Sequence, residues 1–185
     1  MALKTHKTAV VIIPPETIWE PIQRIRRRYD RNLRRWMPHI TLLYPFLPTS
    51  EFEEKAHRFR SHLREIEPFE LRLTEIRYFK HARETFTLWL APEPAEAVIQ
   101  LQERLWRAAP ECDDTRQFPN GFVPHLSIGQ VARRSRLNEV LSSLQREWRE
   151  LCFRVDAVAM IWRNDPPDDV FRIGRTVPIG PAATC

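Results

Sequence analysis

Trp36-Met37-Pro38-His39-Ile40-Thr41-Leu42 and Phe122-Val123-Pro124-His125-Leu126-Ser127-Ile128 follow one pattern. Each runs aromatic, aliphatic, proline, histidine, aliphatic, hydroxyl, aliphatic. Residues two apart on a β-strand point to the same face. His39 should therefore share a face with Thr41, and His125 with Ser127, while Ile40 and Leu126 turn to a packed interior. A lone histidine on a strand is usually structural. Two of them, in segments that match in register at all seven positions, make a candidate site.

Outward from these segments the order of elements repeats. Thr8 to Ile13 reads as a strand, then a helix carries Ile18, Ile22, Ile25 and Tyr29 on one face. A strand is expected from His39 to Phe46, followed by a helix with Phe52, Ala56, Phe59 and Leu63 inward. Ser50 and Glu53 have the spacing of a capping box at its start. Phe69 to Phe79 alternates like a strand, with a slip near Glu75 that suggests a bulge. The second copy has a strand at Thr85 to Leu90 and a helix opened by Pro94 that carries Val98, Leu101 and Leu105. A strand from Val123 to Gly129 follows, then a helix with Leu137, Val140, Leu141, Leu144 and Trp148 on one stripe. Phe153 to Trp162 slips near Ala157, and Val170 to Val177 closes the sheet. TAVVIIPPE at Thr8 to Glu16 aligns on TFTLWLAPE at Thr85 to Glu93, and LRLTEIRY at Leu71 to Tyr78 on FRVDAVAM at Phe153 to Met160. The reading is a βαβαβ unit used twice about a pseudo-two-fold axis, with equivalent strands lining one cleft. The whole of 1–185 forms one domain of two lobes, roughly 8–80 and 85–177, with interleaving allowed.

Facing pairs of histidine and hydroxyl suit displacement at phosphorus. The attacking water or hydroxyl needs a base, and the leaving oxygen needs an acid. Imidazoles with an ordinary pKa of about 6.5 can be one neutral and one protonated near pH 7. Thr41 and Ser127 can donate to the non-bridging oxygens. Neither motif carries a nearby Cys, Asp or Glu as a third ligand, so no metal and no cofactor is expected. His6, His57, His62 and His81 belong to no such pattern.

The formal charge is +5 and the pI about 9.5, carried mostly by arginine. Arg24, Arg26, Arg27, Arg28, Arg31, Arg34 and Arg35 crowd one segment with only Asp30 opposing them. That run fits an anionic partner as well as it fits a solvated helix face. Cys112, Cys152 and Cys185 have no paired spacing and suit a reducing compartment. Gly is scarce (4) and Pro frequent (16), which argues against flexible linkers, with disorder expected only after Pro178. No segment reads as a signal peptide or membrane span. The expectation is a monomer in the cytoplasm, or the nucleus of a nucleated cell, away from membranes.

The paired His-x-Thr and His-x-Ser motifs in a duplicated α+β chain resemble the 2H phosphoesterase superfamily. Within it the chain looks like the 2′-5′ RNA ligase / RNA 2′,3′-cyclic phosphodiesterase family, over Thr8 to about Val177. Pro-His-Ile-Thr-Leu-Leu-Tyr-Pro-Phe, from Pro38, is similar to the ligase-like branch. The resemblance implies two antiparallel sheets backed by helices around an open cleft. It implies His39 and His125 as acid and base, and Thr41 and Ser127 as the phosphate holders. It implies RNA or a nucleotide phosphate as substrate, with hydrolysis of a 2′,3′-cyclic end or 2′-5′ joining as the activity.

Relatives often place an arginine sooner after the second motif than Gly129-Gln130-Val131-Ala132-Arg133-Arg134 does. Arg133 and Arg134, or Arg136, are the candidates to replace it in substrate binding. Tyr44 and Phe122 flank the motifs and are candidates to stack a base, Tyr44 the better of the two because Trp36 and Phe122 sit at equivalent, packed positions. Two other readings compete: a phosphodiesterase for a small cyclic or 2′-5′ linked nucleotide, and an RNA-binding module without catalysis.

Overall fold

Strands form in this chain where apolar and β-branched runs lie between prolines and polar turns. The computed structural model describes residues 3–118 and 120–181; Cys185 and most of the expected tail lie outside the described residues. The elements in order are β1 (Thr8–Ile12), α1 (Trp19–Tyr29), β2 (Ile40–Leu43), α2 (Phe52–Leu63), β3 (Phe69–His81) and β4 (Thr85–Glu93). Then come α3 (Ala95–Ala108), β5 (Leu126–Ala132), α4 (Arg134–Glu147), β6 (Leu151–Val155), β7 (Ala157–Trp162) and β8 (Arg172–Pro178).

The strands make a curled antiparallel sheet in the order β6-β3-β4-β5-β2-β1-β7-β8. The α+β class expected from the repeat is the one found. Each half of the sheet draws on both sequence repeats: β3 pairs with β4, and β7 pairs with β1. The two halves meet at the motifs, where β2 and β5 share a single residue pair, Ile40 with Leu126.

The four helices cover one face. Ile22 and Ile25 of α1, Phe52, Phe59 and Leu63 of α2, Val98, Leu101 and Leu105 of α3, and Leu137, Val140 and Leu144 of α4 pack with Val10, Ile40, Leu88 and Leu126 into the main core. These are the apolar positions that the 3.6-residue periodicity marks. Burying each such side chain is worth about 1.5–3 kcal/mol, so the helices are held by this face rather than by their caps. On the opposite face Ala9, Val11, Ala159, Ile161 and Phe171 form a second, smaller cluster.

Three local expectations change. The strand expected from His39 to Phe46 is only Ile40–Leu43, because Pro38 and Pro45 bracket it and offer no N–H to a neighbour. The capping box does not form: Ser50 lies in a short 3-10 turn led by Pro48, and Glu53 pairs with Arg175 of β8. Pro94 stands one position before α3 as its N-cap, not within its first turn. The two slips in alternation mark real irregularities. The β3–β4 register shifts between Leu73 and Ile76, and Asp156 separates β6 from β7. No helix among the described residues is long and apolar enough to cross a membrane.

Candidate active site

The antiparallel register through Ile40 and Leu126 sets Thr41 beside His125 and Ser127 beside His39. Ile40, Leu42, Leu126 and Ile128 are fully buried in the main core. His39, Thr41, His125 and Ser127 are half-buried on the other face. The four side chains thus form one crossed quartet at the seam between the half-sheets.

Both imidazoles are held the same way. His39 Nδ1 lies 2.7 Å from the Met37 carbonyl, and His125 Nδ1 2.8 Å from the Val123 carbonyl. A carbonyl only accepts, so Nδ1 carries the proton in each ring and Nε2 is the bare nitrogen of the neutral form. Burial pushes the His39 pKa down to about 4; Arg26 and His125 add to this, while the Met37 carbonyl and Asp30 oppose it. Burial also lowers His125, against the Val123 carbonyl. Both rings are therefore neutral in the free protein near pH 7.

Their surroundings differ. His39 stacks on Trp36, with centroids 4.6 Å apart and planes at 17°. His125 instead meets the edges of Phe79 at 4.9 Å and Trp89 at 6.0 Å, and those two rings stack on each other at 4.8 Å. Arg77 lies over Trp89 at 5.9 Å. Trp89 pairs across the ladder with Ser127 and with Arg77, which puts all three on the histidine face. Arg77, Phe79 and Trp89 were not marked by the sequence reading. Its alignment of Thr8–Glu16 on Thr85–Glu93 sets Trp89 over Ile12, an interior position. In the structure Ile12 pairs with Ile40 as Leu90 pairs with Leu126, so Trp89 is the counterpart of Val11. A shift of one residue moves a side chain to the other face.

The model of the 2′-5′ RNA ligase superfamily matches residues 14–167. The chain belongs to that superfamily. A protein of Oceanobacillus iheyensis, whose name assigns it provisionally to the phosphoesterases, is 28% identical over 160 residues, covering 86% of this chain and 91% of its own. Among solved structures, TT0787 of Thermus thermophilus superposes with a TM-score of 0.63 at 18% identity, covering 94% of this chain and 97% of that one. E. coli LigT complexed with 3′-AMP gives 0.59 at 16% identity, covering 96% of each chain. These structural likenesses show a shared 2H phosphoesterase fold.

Of the other residues expected to serve a superfamily substrate, Tyr44 packs with the smaller cluster that holds Trp36. Its ring meets Trp36 edge-on at 5.6 Å, and its hydroxyl donates to the His6 carbonyl at 3.3 Å. Phe122 packs against the main core. Arg133 and Arg134 follow the seven residues of β5, which at about 3.3 Å per residue carries them more than roughly 25 Å along the strand from His125. Arg134 donates to the Tyr78 hydroxyl at 3.1 Å and lies over Tyr78 and Phe86. Those rings alternate with Phe79 and Trp89 and so face away from the histidines. The structure therefore brings Arg77, not Arg133 or Arg134, to the histidine face. Among the described residues no three of His, Cys, Asp and Glu gather as a metal site.

Proposed function

We propose that the chain is a metal-independent phosphodiesterase that opens a 2′,3′-cyclic phosphate on an RNA end or a related nucleotide, with 2′-5′ joining as the reverse type of reaction. The observation that carries this reading is the crossed quartet: two imidazoles with Nε2 bare, each beside a hydroxyl from the opposite strand. His39, which burial keeps neutral, is the base that takes the proton of the attacking water. His125 protonates the leaving ribose oxygen once the bound phosphate anion has raised its pKa. Thr41 and Ser127 donate to the non-bridging oxygens. Water adds to phosphorus, one ribose oxygen departs with a proton, and the ring opens to a monoester.

The two halves of the sheet offer a substrate different walls. On the first, Trp36, Tyr44 and Phe171 cover the strands. On the second, Arg77 is exposed and Phe79 half-buried above Trp89. A nucleoside fits this second wall, with Phe79 against the base and Arg77 near its phosphate. The exposed Glu75–Arg77 pair competes weakly, since such pairs are worth about 0–1 kcal/mol. The complex of LigT with 3′-AMP agrees with a nucleotide as ligand.

The test is a short RNA ending in a 2′,3′-cyclic phosphate, incubated in EDTA with wild type, His39→Ala and His125→Ala. Wild type converts it, and each variant loses about 10²–10⁴-fold. Because burial lowers both rings, kcat/KM is bell-shaped with its maximum on the acid side of neutrality, not at pH 7. Turnover that EDTA abolishes, or that survives both substitutions, overturns the reading.

A further inference from the structure

We infer that Trp36 is a positioning residue for His39: gripped between Phe171 and the imidazole, it sets the plane of that ring and shields its face from water. The inference rests on the proposed role of His39 and adds the device that holds the ring ready. Trp36 and Phe171 stack with centroids 3.8 Å apart and planes at 27°, and Trp36 and His39 continue the pile at 4.6 Å and 17°. Rotation of the imidazole about its Cβ–Cγ bond would break both this stack and the Nδ1 bond to Met37.

The pile is pinned from two sides. The Arg26 guanidinium, buried in α1, donates to the Trp36 carbonyl at 2.8 Å. Asp169, 1% exposed, accepts from Arg34 and Arg35, and the Phe171 N–H donates to the Arg35 carbonyl at 2.9 Å. Asp169 thereby ties the loop before His39 to the loop that carries Phe171. The second motif has no such pile: Phe79 meets His125 at 88° and Trp89 meets it at 65°. Phe122, which repeats Trp36 in sequence, turns to the main core instead. The stack is therefore a property of one histidine, not a consequence of the repeated motif.

The charged and titratable groups around the His39 ring are Arg26 and Asp30 of the α1 end and His125 of the neighbouring strand. A smaller residue at 36 leaves all three in place and admits water to the imidazole face. The ring then protonates more easily and samples more orientations.

The experiment follows the imidazole carbon and proton resonances by NMR against pH, without substrate, in wild type, Trp36→Leu, Trp36→Phe and Phe171→Leu. The His39 midpoint rises by about one pH unit or more in Trp36→Leu, returns most of the way in Trp36→Phe, and moves less for His125. On the cyclic-phosphate RNA, Trp36→Leu lowers kcat about tenfold or more with KM nearly unchanged, and Trp36→Phe restores it. An unmoved His39 midpoint in Trp36→Leu overturns the inference, as does an unchanged kcat. If Trp36→Leu fails to fold, the same shift read in Phe171→Leu decides. If wild type turns over no cyclic phosphate, the titration still decides on the stack, and only the proposed reaction fails.

Discussion

At His39 and His125 the two preceding residues set the chemistry. Proline at 38 and 124 lacks an N–H, so the chain enters each strand without a ladder bond, and the carbonyl one residue earlier is left for the imidazole. The cost of holding the rings neutral and half-buried appears in the pH dependence of stability. His39 has a folded pKa of about 4 against about 6.5 unfolded, so between these values the unfolded chain binds more protons. Stability is complete above pH 6.5 and falls as the pH drops towards 4, by at most about 3 kcal/mol from this group. His125 acts in the same direction. Urea unfolding from pH 7 to pH 4 should show this slope, and His39→Gln, which cannot protonate in this range, should flatten part of it. An equal slope in His39→Gln would show that other groups carry the acid sensitivity. At this scale the motif residues were legible because their pattern occurs twice in matching register. Arg77, Phe79 and Trp89 were not, because they come from neighbouring strands and reach His125 only through sheet pairing.

Among the elements, the end of α1 does the most to shape the seam. Beyond Leu126, β5 leaves β2, and Tyr29 and Asp30 pack against the edge this exposes. Asp30 accepts from Gln130 of β5 and from Arg26, while Gln130 accepts from the Arg31 N–H. Tyr29 comes so close to Gly129 that a Cβ there would lie 2.4 Å from the Tyr29 Cβ and 2.9 Å from its carbonyl carbon. The colliding atoms are backbone and Cβ, which no rotamer change can withdraw. Gly129→Ala should therefore push α1 from β5 and destabilise the protein by about 1–3 kcal/mol, the usual cost of overpacking. Chemical denaturation measures this, and a change below about 0.5 kcal/mol would mean that the helix end shifts freely. In the sequence Gly129 is simply the last residue of an expected strand, and the helix that requires it lies about a hundred residues earlier. The helices themselves were legible from apolar spacing, and the slips near Glu75 and Ala157 from broken alternation. The short β2 was less so, because the prolines that cut it sit inside an otherwise strand-like run.

Across the whole molecule, the site exists only where the two half-sheets meet. One residue pair joins β2 to β5, and each hydroxyl stands beside the histidine of the other motif. In the proposed reaction neither half is therefore complete: the first lacks the proposed acid and the Phe79–Trp89 wall, the second lacks the proposed base and its Trp36 stack. Groups that act as one unit lose their effect together, so their contributions do not add. With His39 removed, His125 has no activated water to work against, and its loss should change little more. His39→Ala/His125→Ala should thus be only slightly slower on the cyclic-phosphate RNA than either single variant. Independent roles would instead multiply two losses of about 10²–10⁴-fold each. Adding imidazole to the His39→Ala protein extends the test, because a small base can occupy the vacated space beside Trp36 while His125 still supplies the proton. Rescue of His39→Ala but not of the double variant would show that the second half-site is intact and waiting for its partner. Additive losses would mean that the two histidines serve separate steps, and the crossed quartet would no longer account for the reaction.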